Sequence, residues 1–387
     1  MPSLDLAMPI TLMIVITVAM LLNKRTEGKL KATVEEKEFK TRDVILLIVF
    51  MAVTVSVIAY SSLVAPDFVI QNIILIVFLT SYTMLLFTFS FVFSNISKIK
   101  TQLISSAFGI AAILAGAIST LVPFEDTFTL FRAIAFFILA AFCFGVVIFE
   151  QKKKTSKVRW YLAAQPAILF LLLFIFFNVI YTGTAQVWFP VLLDVFGLTF
   201  AILIIVYLSS MFSWKTVGIF AVLLTIYDFI QVIITGLMVT AAHAFTGLGL
   251  PVLVYLPKIP LTLAPANYPY LTVFGFVPTG LGLGDFFFAG LLTIQTFKKF
   301  GNKTALITIA AIGLAFGIFE AFSANIMSFL NSLVGREIGG FPATVIIILG
   351  WAPVVAWKLL RNRNKATKEP VSSEIAQIPK DPSLPVQ

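Results

Sequence analysis

The sequence predicts an all-α polytopic membrane protein of about eleven transmembrane helices, with its N-terminus outside and its C-terminus cytoplasmic. Three observations predict it. Of 387 residues, 59% are hydrophobic and 12% are charged, about half the charged share of an ordinary globular domain, and the mean hydropathy is +1.02. Apolar runs of roughly 20 residues, enough helix to cross about 30 Å of hydrocarbon, recur along the whole chain. The basic residues alternate from loop to loop. This composition excludes a soluble enzyme, a disordered chain and a nucleic-acid-binding domain, despite a net charge of +9 and a pI near 9.5. One cysteine, Cys143, excludes an intramolecular disulfide, and one histidine, His243, leaves no His-based metal site. No cofactor is expected.

The runs, in order, are Leu6 to Leu22, Val44 to Val64, Val69 to Phe93, Leu103 to Val122, Thr129 to Phe149, Trp160 to Tyr181, Val187 to Phe212, Thr216 to Phe245, Val273 to Phe297, Thr304 to Leu330 and Phe341 to Leu360. The first reads as a reverse signal-anchor. Asp5 precedes it, and Asn23, Lys24 and Arg25 follow where a cleavage site would belong. The seventh is interrupted by Pro190, Asp194 and Gly197 and reads as a re-entrant or broken piece. The other nine are uninterrupted enough to be read as plain spans. The polar, Pro-containing stretch Arg361 to Gln387 is expected to be a disordered cytoplasmic tail.

Charge placement tests this count. The odd-numbered loops and the tail hold 24 of the 27 Lys and Arg residues, leaving only Arg132, Lys258 and Arg336 on the other side. Asp67, Glu125 and Asp126 lie in even-numbered loops. Such segregation is hard to obtain if a span is missed or invented, and it explains the net charge by contact with the lipid bilayer. The sequons at Asn95 and Asn302 fall in cytoplasmic loops and are chance matches.

An ionised carboxylate at the bilayer centre costs at least about 3 kcal/mol, so acidic residues within spans are candidates for function. Asp194, Asp228, Asp285 and Glu320 are such residues. Asp228 lies about 18 Å from the cytoplasmic end of the eighth run, and Asp285 about 18 Å from the external end of the ninth. Two aspartates on consecutive antiparallel helices thus meet near the midplane with no cation at that depth. Such a pair cannot ionise twice and shares one proton. That is the condition for one carboxylate to activate water while its protonated partner donates to a carbonyl.

The local motifs sharpen the picture. Tyr227 precedes Asp228, and Gly280, Gly282 and Gly284 lead into Asp285, where glycines permit close packing or local unwinding. The last run opens with Gly339-Gly340-Phe341-Pro342-Ala343-Thr344, in which Pro342 suits a helix's first turn. In this order, YD, GLGD and Pro-Ala resemble the presenilin and signal peptide peptidase family of intramembrane aspartyl proteases. The similarity is nearest to the signal peptide peptidase branch, through Met238-Val239-Thr240 after the YD motif.

The resemblance covers roughly Thr216 to Leu360. It implies an Asp228/Asp285 catalytic dyad, with Tyr227, Gly282, Gly284, Pro342, Ala343 and Thr344 supporting the active site. It also divides the chain into an N-terminal membrane scaffold (1–215), a catalytic four-helix part (216–360) and the tail (361–387). Two features depart from the family: Thr344 stands where Leu is usual, and seven spans precede the YD helix where the family has five. An even-numbered addition preserves orientation. The implied partner is a transmembrane-helix peptide with a cytoplasmic N-terminus, such as a signal-peptide remnant. No nucleic acid and no obligate protein partner are implied.

The remaining candidates are weighed on position. Glu320, with Ser323 and Asn325 nearby, is about 24 Å from the cytoplasmic end, either lining a water path or bonded to a neighbouring helix. Gln231 and Thr235 share the Asp228 face, to orient its carboxyl or simply to pack. His243 is read as an interfacial residue and Cys143 as a plain apolar position. The loop Thr246 to Thr272 has five prolines and a strand-like run, Val252 to Leu256, expected to lie over the site and pair with unwound substrate. Midplane carboxylates also suit a proton- or cation-coupled transporter or channel, which would show flux without proteolysis. A prepilin or preflagellin peptidase shares GxGD but lacks the other two motifs. The absence of a retention signal favours a prokaryotic cell membrane over the endoplasmic reticulum.

Overall fold

A computed structural model describes residues 5–33, 38–64, 68–121, 126–152, 159–179, 188–265 and 272–368. Twelve helices and a two-stranded sheet make up the described chain. The helices are α1 (Ala7–Thr33), α2 (Thr41–Val64), α3 (Phe68–Val92), α4 (Lys98–Leu121), α5 (Asp126–Lys152), α6 (Trp160–Phe174), α7 (Leu193–Ser209), α8 (Trp214–Phe229), α9 (Leu237–Gly247), α10 (Leu283–Phe300), α11 (Asn302–Val334) and α12 (Ala343–Lys368). The strands β1 (Leu253–Pro257) and β2 (Pro278–Gly282) pair antiparallel between α9 and α10. The protein is an all-α polytopic membrane protein: among the described residues, ten helical segments are long and apolar enough to cross a membrane.

The ninth expected run, Val273 to Phe297, is not one helix. Its first part forms β2 and irregular backbone, and only Leu283–Phe300 is helical. That helix, α10, is the hub. It packs against α1, α7, α8, α11 and α12, and its residues from Phe286 to Thr296 are all buried. Glycines set two of the close approaches. A Cβ on Gly290 would lie 2.7 Å from Ile205 of α7, and one on Gly350 would lie 2.6 Å from the Ile312 Cα, which joins α12 to α11 backbone to backbone. Gly350→Val should therefore destabilise the fold by about 1–3 kcal/mol, read as a lower thermal midpoint in detergent, because the obstacle is main chain that cannot rotate away.

Three further boundaries differ from expectation. The eighth run breaks: α8 passes into a π turn, Ile230–Thr235, and stops at Gly236, whose φ of 74° is left-handed, before α9 restarts. Glycine tolerates that conformation, so one substitution-sensitive residue divides the expected single helix. The seventh run is broken only at its start, by a π turn at Trp188–Leu192 containing an extended Phe189, while Asp194 and Gly197 lie within regular α7. Helix α12 continues to Lys368, past the expected end at Leu360. Residues 369–387 of the expected tail lie outside the described residues, as do Asp67 and Glu125.

Contacts between loops fall into two sets. At one end Phe39 bonds Met211, Lys98 bonds Gln151 and Arg159 bonds Ile96. At the other, Leu6 bonds Ile259 and Asn178 bonds Leu248. The first set joins odd-numbered loops and the second joins even-numbered ones and the N-terminus, as the charge alternation requires. Helices α4 and α5 pack on one another and on α6, away from α10. Buried Glu150 fastens this hairpin at the basic end through Arg159 and Tyr161.

Candidate active site

Asp228 sits one residue before the end of α8, and Asp285 in the first turn of α10. Asp285 therefore reaches its depth by following a strand, not by the twelve helical residues the sequence suggests. The two carboxylates are within electrostatic range of one another. Asp228 is buried at 6% exposure, whereas Asp285 is half-buried.

A hydroxyl holds Asp228, and main chain crowds both acids. The Thr344 hydroxyl donates to Asp228 Oδ2 over 2.6 Å, and the Thr344 main chain lies close beside the same carboxylate. Thr344 is in the first turn of α12, where backbone N–H groups have no intrahelical partner and favour an anion. The carbonyl of Pro342 accepts from Val345 N–H over 3.1 Å. Pro342 thus stands immediately before the helix, not in its first turn as expected, and Ala343 is the first helical residue. The Gly282 main chain stands close beside the Asp285 carboxyl. A Cβ on Gly282 would press to 3.1 Å from Asp285 Oδ2, while one on Gly284 would meet nothing within 4 Å, so Gly284 leaves open space beside the acid.

The Tyr227 hydroxyl is buried with no hydrogen-bond partner and feels the Asp228 charge. A phenol so placed is a donor awaiting an acceptor. Of the two readings for Gln231 and Thr235, orienting Asp228 or packing, their hydrogen bonds favour the second: Thr235 Oγ1 donates to the Gln231 backbone and side-chain carbonyls at 3.1 and 3.3 Å. The π turn there shifts the helical phase on which the expectation rested. Glu320, read as lining a water path or bonded to a neighbouring helix, is half-buried on α11. Ser323 bonds back to its own helix, and the charges acting on Glu320 are Asp5 and Lys258, near the end of the bundle. His243 is exposed on α9, and Cys143 is fully buried.

Residues 252–256 were expected to be strand-like, and β1 covers Leu253–Pro257. Its partner within the chain is β2, in the register Tyr255↔Gly280 and Leu253↔Gly282. Ladder bonds run from Leu283 N–H to Val252 and from Lys258 N–H to Val277, so even-numbered residues of β1 face β2. In an antiparallel pair the opposed residues alternate in this way, and hence Tyr255 and Gly280 both point away from the shared ladder. Gly280 is exposed on the outer edge of β2, two residues before the Gly282 that stands against Asp285.

Sequence reasoning missed Arg336 as an active-site neighbour. Its guanidinium donates to the carbonyls of Ile233 and Ile234, at 2.9 and 2.8 Å, and so caps the broken end of α8. Its isolation among the basic residues, opposite the cationic end, was the available signal.

The fold and site together define a multi-pass membrane protein carrying two neighbouring acids beside a short sheet within its helix bundle. No family model matches the chain, and no curated protein matches it.

Proposed function

We propose that the chain is an intramembrane aspartyl protease that hydrolyses a peptide bond within a transmembrane helix, using Asp228, Asp285 and one water. The observation that carries this reading is the convergence of three separate motifs. Asp228 and Asp285 stand within electrostatic range, and Thr344 of the Pro-Ala segment donates to Asp228. One carboxylate takes a proton from water as its oxygen attacks the scissile carbonyl carbon. The protonated partner donates to the carbonyl oxygen, giving a gem-diol that collapses with proton transfer to the amide nitrogen and cleavage of the C–N bond. Tyr227 supplies a hydroxyl able to hold a substrate carbonyl.

A helical substrate hides its backbone and must unwind before it can be cut. The outer edge of β2 at Gly280 offers an unwound segment main-chain hydrogen bonds next to Asp285, the arrangement of β-augmentation. Substrates of signal-remnant type in a prokaryotic cell membrane fit the orientation inferred from charge. Cleavage of a labelled transmembrane peptide by the purified protein, blocked by a transition-state-mimicking aspartyl protease inhibitor, tests the reading. Ion flux without proteolysis would point instead to a transporter. Val254→Pro tests the sheet. The substitution removes an N–H that faces β2, and cleavage should fall about tenfold or more while the helical circular dichroism is retained; unchanged turnover removes the sheet from the mechanism.

A further inference from the structure

Two aspartates outside the dyad lie against the sheet. Asp194, in the first turn of α7 and 8% exposed, accepts the Tyr255 N–H at 2.8 Å. Asp5, 2% exposed and 254 residues away in sequence, accepts the Ile259 N–H at 3.1 Å, and Leu6 N–H donates to the Ile259 carbonyl at 3.0 Å. Both contacts are on the side of β1 that faces away from β2, by the same alternation that turns Tyr255 outward. Between them Pro257 has no N–H to offer. A carboxylate is an acceptor only. It satisfies an outward N–H but gives a further strand no donor to pair with, which is how charged groups blunt sheet edges.

Resting on the proteolytic reading, we infer that Asp194 and Asp5 are positioning residues that close the outer edge of β1, so that an unwound substrate joins the sheet only along β2. Joining on that side puts the substrate next to Asp285. Joining on the β1 side would put it two strands away and out of reach. The same two contacts fix the height of β1, and through the ladder that of β2, relative to α7 and α1. Gly197 lets this approach occur, since a Cβ there would lie 3.3 Å from Val254. The pair therefore governs which peptide bond is presented.

The test uses the full-length protein in lipid nanodiscs with a labelled transmembrane peptide and reads product masses. Wild type should give a narrow, Asp228-dependent set. Asp194→Leu should add products displaced by two residues, because a one-residue slip turns every side chain to the opposite face, and should lower kcat/KM about tenfold. Asp194→Asn, whose amide oxygen still accepts the Tyr255 N–H, should keep the wild-type set. Asp5→Leu should broaden the products in the same sense, and it carries the test if Asp194→Leu does not fold. A wild-type product set from the Leu variants, or equal rate loss in Asn and Leu variants without new products, overturns the inference and leaves the protease reading standing. Absence of Asp228-dependent cleavage in wild type overturns that reading and this inference with it.

Discussion

Alanine at Asp228 or at Asp285 abolishes cleavage of a labelled transmembrane peptide, with a loss of at least about a thousandfold in kcat. Each acid has a role the other cannot cover, since one must accept a proton from water in the same step that its partner delivers one. The asparagine variants, which keep side-chain volume and most hydrogen bonding, should be as inactive as the alanines. Retained folding is checked by gel filtration and helical circular dichroism. The Asp228 side chain bonds only Thr344 among the described contacts, so its removal leaves the helix packing around α10 in place. Activity surviving either substitution sinks the dyad assignment.

Thr344→Val lowers kcat by about ten- to a hundredfold and leaves KM near its wild-type value. The hydroxyl donates to a charged acceptor in a buried site, where such a bond contributes about 1.5–3 kcal/mol, and each 1.36 kcal/mol is about tenfold in rate. Valine keeps the shape and removes only the donor. Thr344→Ser restores most of the rate, whereas Thr344→Leu, which matches the residue usual in the resembled family, does not. Equal rates for Val and Ser would show that the hydroxyl is irrelevant and that Thr344 serves only through its backbone.

How much of this was legible in the sequence follows from the physics of each feature. Charged groups in apolar runs are conspicuous whatever their geometry, which is why Asp228 and Asp285 stood out. β1 was readable from prolines flanking Val252, Val254 and Tyr255. β2 was hidden, because Pro278-Thr279-Gly280-Leu281-Gly282 has no alternation and merges with the apolar run behind it. The break at Gly236 was hidden too: glycine is frequent in membrane helices, and only the fold turns this one left-handed. For Gln231 and Thr235 the sequence left orienting and packing open, because a π turn changes the periodicity that placed them on the Asp228 face. The bond from Ile259 to Asp5 joins residues whose sequence separation allows no local pattern to announce it.

The hydrogen bond from Thr344 to Asp228 also fixes where the last helix begins. Asp228 is the fifteenth residue of α8, about 21 Å of helix above its start, and α12 therefore opens at that same level, inside the hydrocarbon slab. The preceding helix, α11, has 33 residues, about 50 Å of rise against a slab about 30 Å thick. The chain must overshoot or lean, and residues 335–342 then bring it back inward as a re-entrant limb without regular helical bonding. Peptide groups in that state cannot face lipid; they persist at membrane depth only against protein or a wetted cleft. Protein meets this limb at two points: Arg336 donates to the carbonyls of Ile233 and Ile234, and a Cβ on Gly339 would lie 2.8 Å from Val239 of α9.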